Sequence, residues 1–241
     1  MLSNIYIEKE EPTKAFSLLK DARESFRGMN GLDTVAICSA EALAFKRTGN
    51  IEAASRALDE ALSSLPQGEN LPENLSLSLA KACLENNKME QGLNLMKNLL
   101  QINPEDKEKL SLIENAMRKS GLNQSDIDAL VKSSAEEVKQ INNKGVLLAR
   151  NGEFDAAGKL LKSAAQRVPT NQQFLSNAAA ILLADIEKNG LDYSKLQDSI
   201  TFINALKDLN ASHPKLPSLI VNLELIREKY SLNLEEIAIV R

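Results

Sequence analysis

The chain has 241 residues, of which 43% are hydrophobic, 26% charged and only 4% aromatic, so disorder is excluded as the whole answer and a sizeable core is affordable. Lys and Arg number 29 against 33 Asp and Glu, a net charge of −4, and nothing in that balance draws the chain to phosphate backbones or anionic lipid. With 10 Gly, 7 Pro, no Trp and 3 Tyr the chain is lean in turn-makers and β-formers, and an all-α fold is expected.

No window reaches the roughly 18 uncharged apolar residues of a membrane span, and no basic segment precedes an apolar run at the amino terminus. A cytoplasmic location is therefore expected. Cys38 and Cys83 lie in apolar-periodic stretches, which reads as small core side chains and not as a disulfide framework.

In chain order, residues 1–31 hold a partial unit, with Ala15, Leu19 and Ala22 on one helical face of 11–27. Residues 35–68 then carry Cys38, Ala42, Phe45, Gly49, Ala54, Leu58, Ala61 and Pro66. At the same intervals 73–106 place Ala80, Cys83, Asn87, Gly92, Met96, Leu99 and Pro104. The segment 107–137 keeps Leu110, Met117, Gly121 and Leu130 but has Glu114 and Asp126 where the others have small residues. Residues 138–171 give the fullest set: Ile141, Gly145, Leu148, Gly152, Ala157, Leu161, Ala164 and Pro169. Residues 172–214 carry Leu175, Ala179 and Leu182, then about nine extra residues around Glu187 to Asp192. A capping helix is expected over 215–230, with Leu219, Ile220, Leu223 and Ile226 inward and Arg227, Glu228 and Lys229 on a wet side, followed by a tail over 231–241.

These intervals resemble the tetratricopeptide repeat, a 34-residue helix–turn–helix unit with small residues at positions 8, 20 and 27, larger apolar ones at 4, 11 and 24, a turn residue near 15 and Pro at 32. The resemblance implies a right-handed superhelical solenoid of antiparallel helix pairs in one domain over 1–230. It also implies a non-enzymatic protein–protein interaction scaffold with a concave groove lined by first helices. In that register the groove takes Ser39, Leu43, Lys46 and Arg47, then Leu77, Lys81, Leu84 and Glu85, then Lys139, Asn142, Val146 and Arg150, then Gln173, Ser176 and Ala180. Lys46, Arg47, Lys81, Lys139, Asn142 and Arg150 form the expected partner-binding set, suited to an acidic protein or peptide. Some members of the family clamp a chaperone's terminal carboxylate with Lys at position 5 and Asn at position 9. Here Ser39, Leu77 and Asn142 stand at the first position and Leu43, Lys81 and Val146 at the second, so that clamp is not carried over.

A narrower resemblance covers about the last hundred residues. The run from Glu136 to Val146, the repeat after it, and Asn177 to Leu183 with Glu187-Lys188-Asn189-Gly190 are similar to the carboxy-terminal region of bacterial response regulators that join a receiver domain to tetratricopeptide repeats. It implies the output module of a two-component signalling protein, the alternative being an assembly factor for pili or secretion machinery. The first helix starts in mid-pattern, which fits a fragment of a longer protein, with apolar surface near Ile5, Tyr6 and Phe16 uncovered or used for homodimerisation.

No catalytic set is expected. The single histidine, His213, lacks the partners that a triad, a zinc site or a proton relay needs. Gly152 to Lys159 imitates a phosphate loop with one residue too many, Leu160 in place of the hydroxyl, and Glu153 and Asp155 to repel phosphate. Neither cofactor nor metal is expected.

Overall fold

The computed structural model describes residues 6–7, 9, 11–25, 31–65 and 71–232, and among them it contains eleven α-helices and no strand. The chain divides into two compact units, residues 1–100 with 105–132, and residues 101–104 with 133–241. The first unit contains α1 (Pro12–Ser25), α2 (Gly31–Arg47), α3 (Ile51–Ser63), α4 (Glu73–Glu85), most of α5 (Met89–Ile102), α6 (Lys107–Lys119) and the start of α7 (Gln124–Arg150). The second takes the rest of α7 with α8 (Phe154–Arg167), α9 (Gln172–Asn189), α10 (Tyr193–Leu209) and α11 (Leu216–Lys229). Among the described residues no helix is long and apolar enough to cross a membrane.

One turn recurs. Gly49, Asn87, Gly121 and Gly152 all have positive φ, at +79°, +62°, +94° and +85°. Each follows a first helix and repeats the same two backbone hydrogen bonds. Gly49 N donates to Lys46 O and Asn50 N to Phe45 O, at 3.1 and 2.9 Å. The other three match: Asn87 to Leu84 with Lys88 to Cys83, Gly121 to Arg118 with Leu122 to Met117, and Gly152 to Ala149 with Glu153 to Leu148. This is the left-handed helix end that satisfies orphan carbonyls, and glycine or asparagine enters it at least cost. The weak unit 107–137 keeps the turn although its small residues are gone. Asp126 explains one of those losses. Its side chain accepts from Asn123 Nδ2 while its backbone N–H donates to Asn123 Oδ1, at 2.7 and 2.9 Å, so it sits in a reciprocal cap at the start of α7 instead of facing a neighbouring helix.

Small residues stand where helices approach closely. A methyl group on Gly92 would lie 2.7 Å from the Leu84 side chain, and one on Gly145 would lie 2.6 Å from Leu161 Cδ1. In the first unit α2 packs against α1, α3 and α4, and the core is built from Val35, Cys38, Ala42, Leu58, Ala61, Leu79 and Cys83. An arginine pins three of these helices. Arg23 of α1 donates to both oxygens of Glu41 on α2, at 2.8 and 2.7 Å, and to those of Glu60 on α3, at 3.3 and 3.1 Å. Tyr6 and Phe16 are half-buried and pack against this core, the Phe16 ring tilted against Phe45 with centroids 4.7 Å apart, so both find cover within the unit; Ile5 lies outside the described residues.

Two expectations about the helices change. The expected boundary between the segments 107–137 and 138–171 falls inside a helix: α7 runs unbroken for 27 residues from Gln124 to Arg150. The stretch from Ser125 to Lys144 contains neither Pro nor Gly, so nothing local ends the helix there. The extra residues expected near 187–192 prolong α9 to Asn189, and the chain then turns through Gly190 at φ +103°. The helix expected to cap the chain ends differently from a second helix. Ser231 has φ +53°, with its N–H on Glu228 O and that of Leu232 on Arg227 O, the same pair of bonds that closes the first helices. Val221 and Leu225, one turn apart on α11, are 57% and 58% exposed beside the charged side chains expected there.

Candidate functional site

The expected groove residues divide between the units, Lys46, Arg47 and Lys81 in the first and Lys139, Asn142 and Arg150 in the second. The first three converge. Leu43 and Arg47, one turn apart on α2, face Asn74, Leu77, Ser78, Lys81 and Glu85 of α4, and the wall is completed by Ile7 and by Ala116, Lys119 and Ser120 at the end of α6. The cleft has a volume of about 320 Å³ and adjoins a wider mouth lined by Lys46, Arg47, Glu85, Lys119, Ser120 and Gly121. Leu43, Leu77 and Ala116 supply an apolar floor, and the rim is polar.

The rim is unbalanced in charge. Among the described lining residues Lys46, Arg47, Lys81 and Lys119 carry positive charge and Glu85 carries negative charge. Arg47 Nη2 donates to Glu85 Oε1 at 3.2 Å, with the Glu85 side chain 13% exposed and that of Arg47 45% exposed. Burial pushes the Glu85 carboxyl above its ordinary value of 4.5, while Arg47, Lys81 and Lys46 pull it down. Arg47, Glu85 and Lys119 occupy the same place in three successive units, two residues before the left-handed turn residue. Lys119 was not among the residues expected, because the unit that holds it looks degenerate; its turn glycine, Gly121, is the sequence signal that locates it.

Two expected groove residues belong elsewhere. Ser39 is fully buried, and its hydroxyl has no hydrogen-bond partner among the described residues. Leu84 is 2% exposed and packs toward Gly92 of α5, away from the cleft.

In the second unit Lys139 and Arg150 are exposed, but Asn142 is 8% exposed and its amide is fully engaged. Asn142 Nδ2 donates to Val138 O and Gln173 Oε1, at 3.1 and 3.2 Å, and Asn142 Oδ1 accepts from Asn177 Nδ2 at 2.8 Å. Lys215 extends the chain of bonds by donating to Asn177 Oδ1 at 2.6 Å. Asn142 thus ties α7 to α9 and offers a guest nothing. Ser176 is buried, with its hydroxyl on Gln173 O, and Ala180 is half-buried. A second buried polar contact, Asp185 with Lys195 at 2.6 Å, joins α9 to α10 and is supported by Asn189.

The residues set aside on sequence have structural roles. Gly158 lies buried in α8, where a methyl group would meet Leu182 Cδ2 at 3.0 Å, and Lys159 pairs with Asp155 at 2.7 Å. His213 accepts from the Lys215 N–H at 3.3 Å, and burial, then the Lys215 charge, lowers its pKa. Burial pushes the thiol of Cys38 up to about 12 and that of Cys83 up to about 11. Among the described residues no group of three or more His, Cys, Asp and Glu is placed to hold a metal ion.

No known protein-family profile matches the chain, and no curated protein matches its sequence.

Proposed function

We propose that the chain is a protein-interaction module of the tetratricopeptide type, and that the cleft between α2, α4 and α6 takes an acidic peptide segment with an aliphatic side chain. The observation that carries this reading is the excess, among the described lining residues, of Lys46, Arg47 and Lys119 over Glu85 around a floor of Leu43, Leu77 and Ala116. The floor accepts an apolar anchor, and the rim rewards carboxylates that flank it. The recurrent left-handed turns and the small residues at helix crossings support the repeat assignment. Rim contacts of this exposure are worth about 0.2–1 kcal/mol each, so several are needed together.

The test uses a fluorescein-labelled, Glu-rich peptide with one central Leu, read by fluorescence anisotropy. Wild type should bind it, its Gln-for-Glu analogue should bind far more weakly, and added salt should reduce the affinity. A combined Lys46→Glu, Lys81→Glu and Lys119→Glu variant should keep its helical circular dichroism and lose the peptide, while Lys139→Glu with Arg150→Glu should retain it. Loss in the second variant with retention in the first would overturn the assignment to this cleft.

A further inference from the structure

The cleft already contains a carboxylate. Glu85 Oε1 lies 3.2 Å from Arg47 Nη2, in the position relative to the guanidinium that a guest carboxylate would take. Its side chain is far less exposed than that of the arginine it meets, so the partner more easily displaced is the arginine. Resting on the acidic-peptide reading above, we propose that Glu85 is a built-in competitor. It holds Arg47 in the empty cleft, must give it up when a guest carboxylate arrives, and so sets both the strength and the pH dependence of binding.

The charges around Glu85 define the consequence. Among the described residues it faces Lys46 and Arg47 from α2, Lys81 from its own helix and Lys119 of α6 across the cleft, while Ile7 adds an apolar side chain to the same wall. Lys88, in the turn after α4, is directed to Asp59 of α3 at 2.5 Å. A guest carboxylate brought among these groups raises the local negative charge, which favours the protonated form of Glu85. Guest binding and proton uptake at Glu85 are therefore linked, and each promotes the other by the same factor. In the empty cleft burial already shifts the carboxyl upward, so the linkage acts above 4.5, where guest aspartates and glutamates are still largely ionised.

Glu85→Gln removes the competing charge and keeps the shape. It should bind the Glu-rich probe about 5-fold more tightly than wild type at pH 7.5, the effect of one screened charge pair near a protein surface. Calorimetry at pH 5.5 in two buffers of different ionisation enthalpy should show more proton uptake per bound peptide in wild type than in Glu85→Gln, and the shared peptide cancels its own contribution. Binding by Glu85→Gln where wild type shows none would support the proposal in stronger form. If wild type binds and the Lys46, Lys81 and Lys119 reversals abolish binding, yet Glu85→Gln binds no more tightly and takes up as many protons, the competitor role is refuted and the cleft assignment stands. If neither wild type nor Glu85→Gln binds the probe, both fall. Melting curves of Glu85→Gln establish that the variant is folded.

Discussion

Gly145 and Leu161 share one volume: a methyl group on the glycine would lie 2.6 Å from Leu161 Cδ1 and 2.7 Å from its Cγ. Leu161 is completely buried and has nowhere to retreat. Gly145→Ala should therefore lower the melting temperature, because overpacking of about 1–3 kcal/mol outweighs the gain of about 1 kcal/mol in helix propensity. Gly158→Ala, which meets a single Leu182 methyl carbon at 3.0 Å, should cost less. Thermal melts of the two variants side by side test the ordering, and it fails if Gly145→Ala is the more stable.

Ala157 is fully buried at the start of α8. Ala157→Arg forces a long charged side chain into that packing and should destabilise the protein by at least about 3 kcal/mol. Urea unfolding measures it, and an unchanged midpoint would refute the register that assigns Ala157 to a close helix approach.

Glu85 makes stability depend on pH with a defined sign. Its folded pKa is raised above the unfolded value, so between 4.5 and the folded pKa the native state binds more protons than the unfolded one. Stability from this group is highest when it is protonated and declines as pH rises through the folded value. Glu85→Gln should consequently melt higher than wild type at pH 7, and the gap should close below pH 4.5 as wild type becomes neutral there. A gap that widens on acidification would contradict the assignment.

Cys38 and Cys83 should resist alkylation. Both are buried, and at pH 8 thiols shifted to about 12 and about 11 hold almost no thiolate. Iodoacetamide should modify neither thiol in the native protein and both after unfolding in guanidinium. Mass spectrometry of the labelled chain decides it.

Helices and turns were largely legible because they rest on local signals. Gly49, Gly121 and Gly152 mark helix ends by tolerance of positive φ, and Asn87 does so with a side chain. The uninterrupted α7 was not legible from the repeat ruler, which supplies a boundary at 137–138 whether or not a breaker is present. The chain from Ser125 to Lys144 holds no Pro or Gly to end the helix, and it continues through Ser133-Ser134-Ala135-Glu136-Glu137 although Ser-x-x-Glu is also the pattern of a helix start. Half of the candidate site could be read, since the repeat register puts Lys46, Arg47 and Lys81 on the groove-facing positions of two successive first helices. The burial of Asn142 could not, because it depends on Gln173 and Asn177 meeting it from another helix. Lys119 was hidden by Glu114 and Asp126, which make its unit look unlike the rest.

Each left-handed turn is closed by two main-chain bonds and one residue that tolerates positive φ, so it makes no demand on the side chains of the next helix. The intervals between Gly49, Asn87, Gly121 and Gly152 shorten along the chain while the turns stay alike. Length is thus variable between units and fixed within the turn. An extra residue between Phe45 and Asn50 would break both bonds and rotate every later side chain of α3 by about 100° about its axis. The same residue added in the non-helical joints at 103–106 or 168–171 would leave each hairpin intact, making those joints, and not the helical one within α7, the places where this architecture accepts insertions.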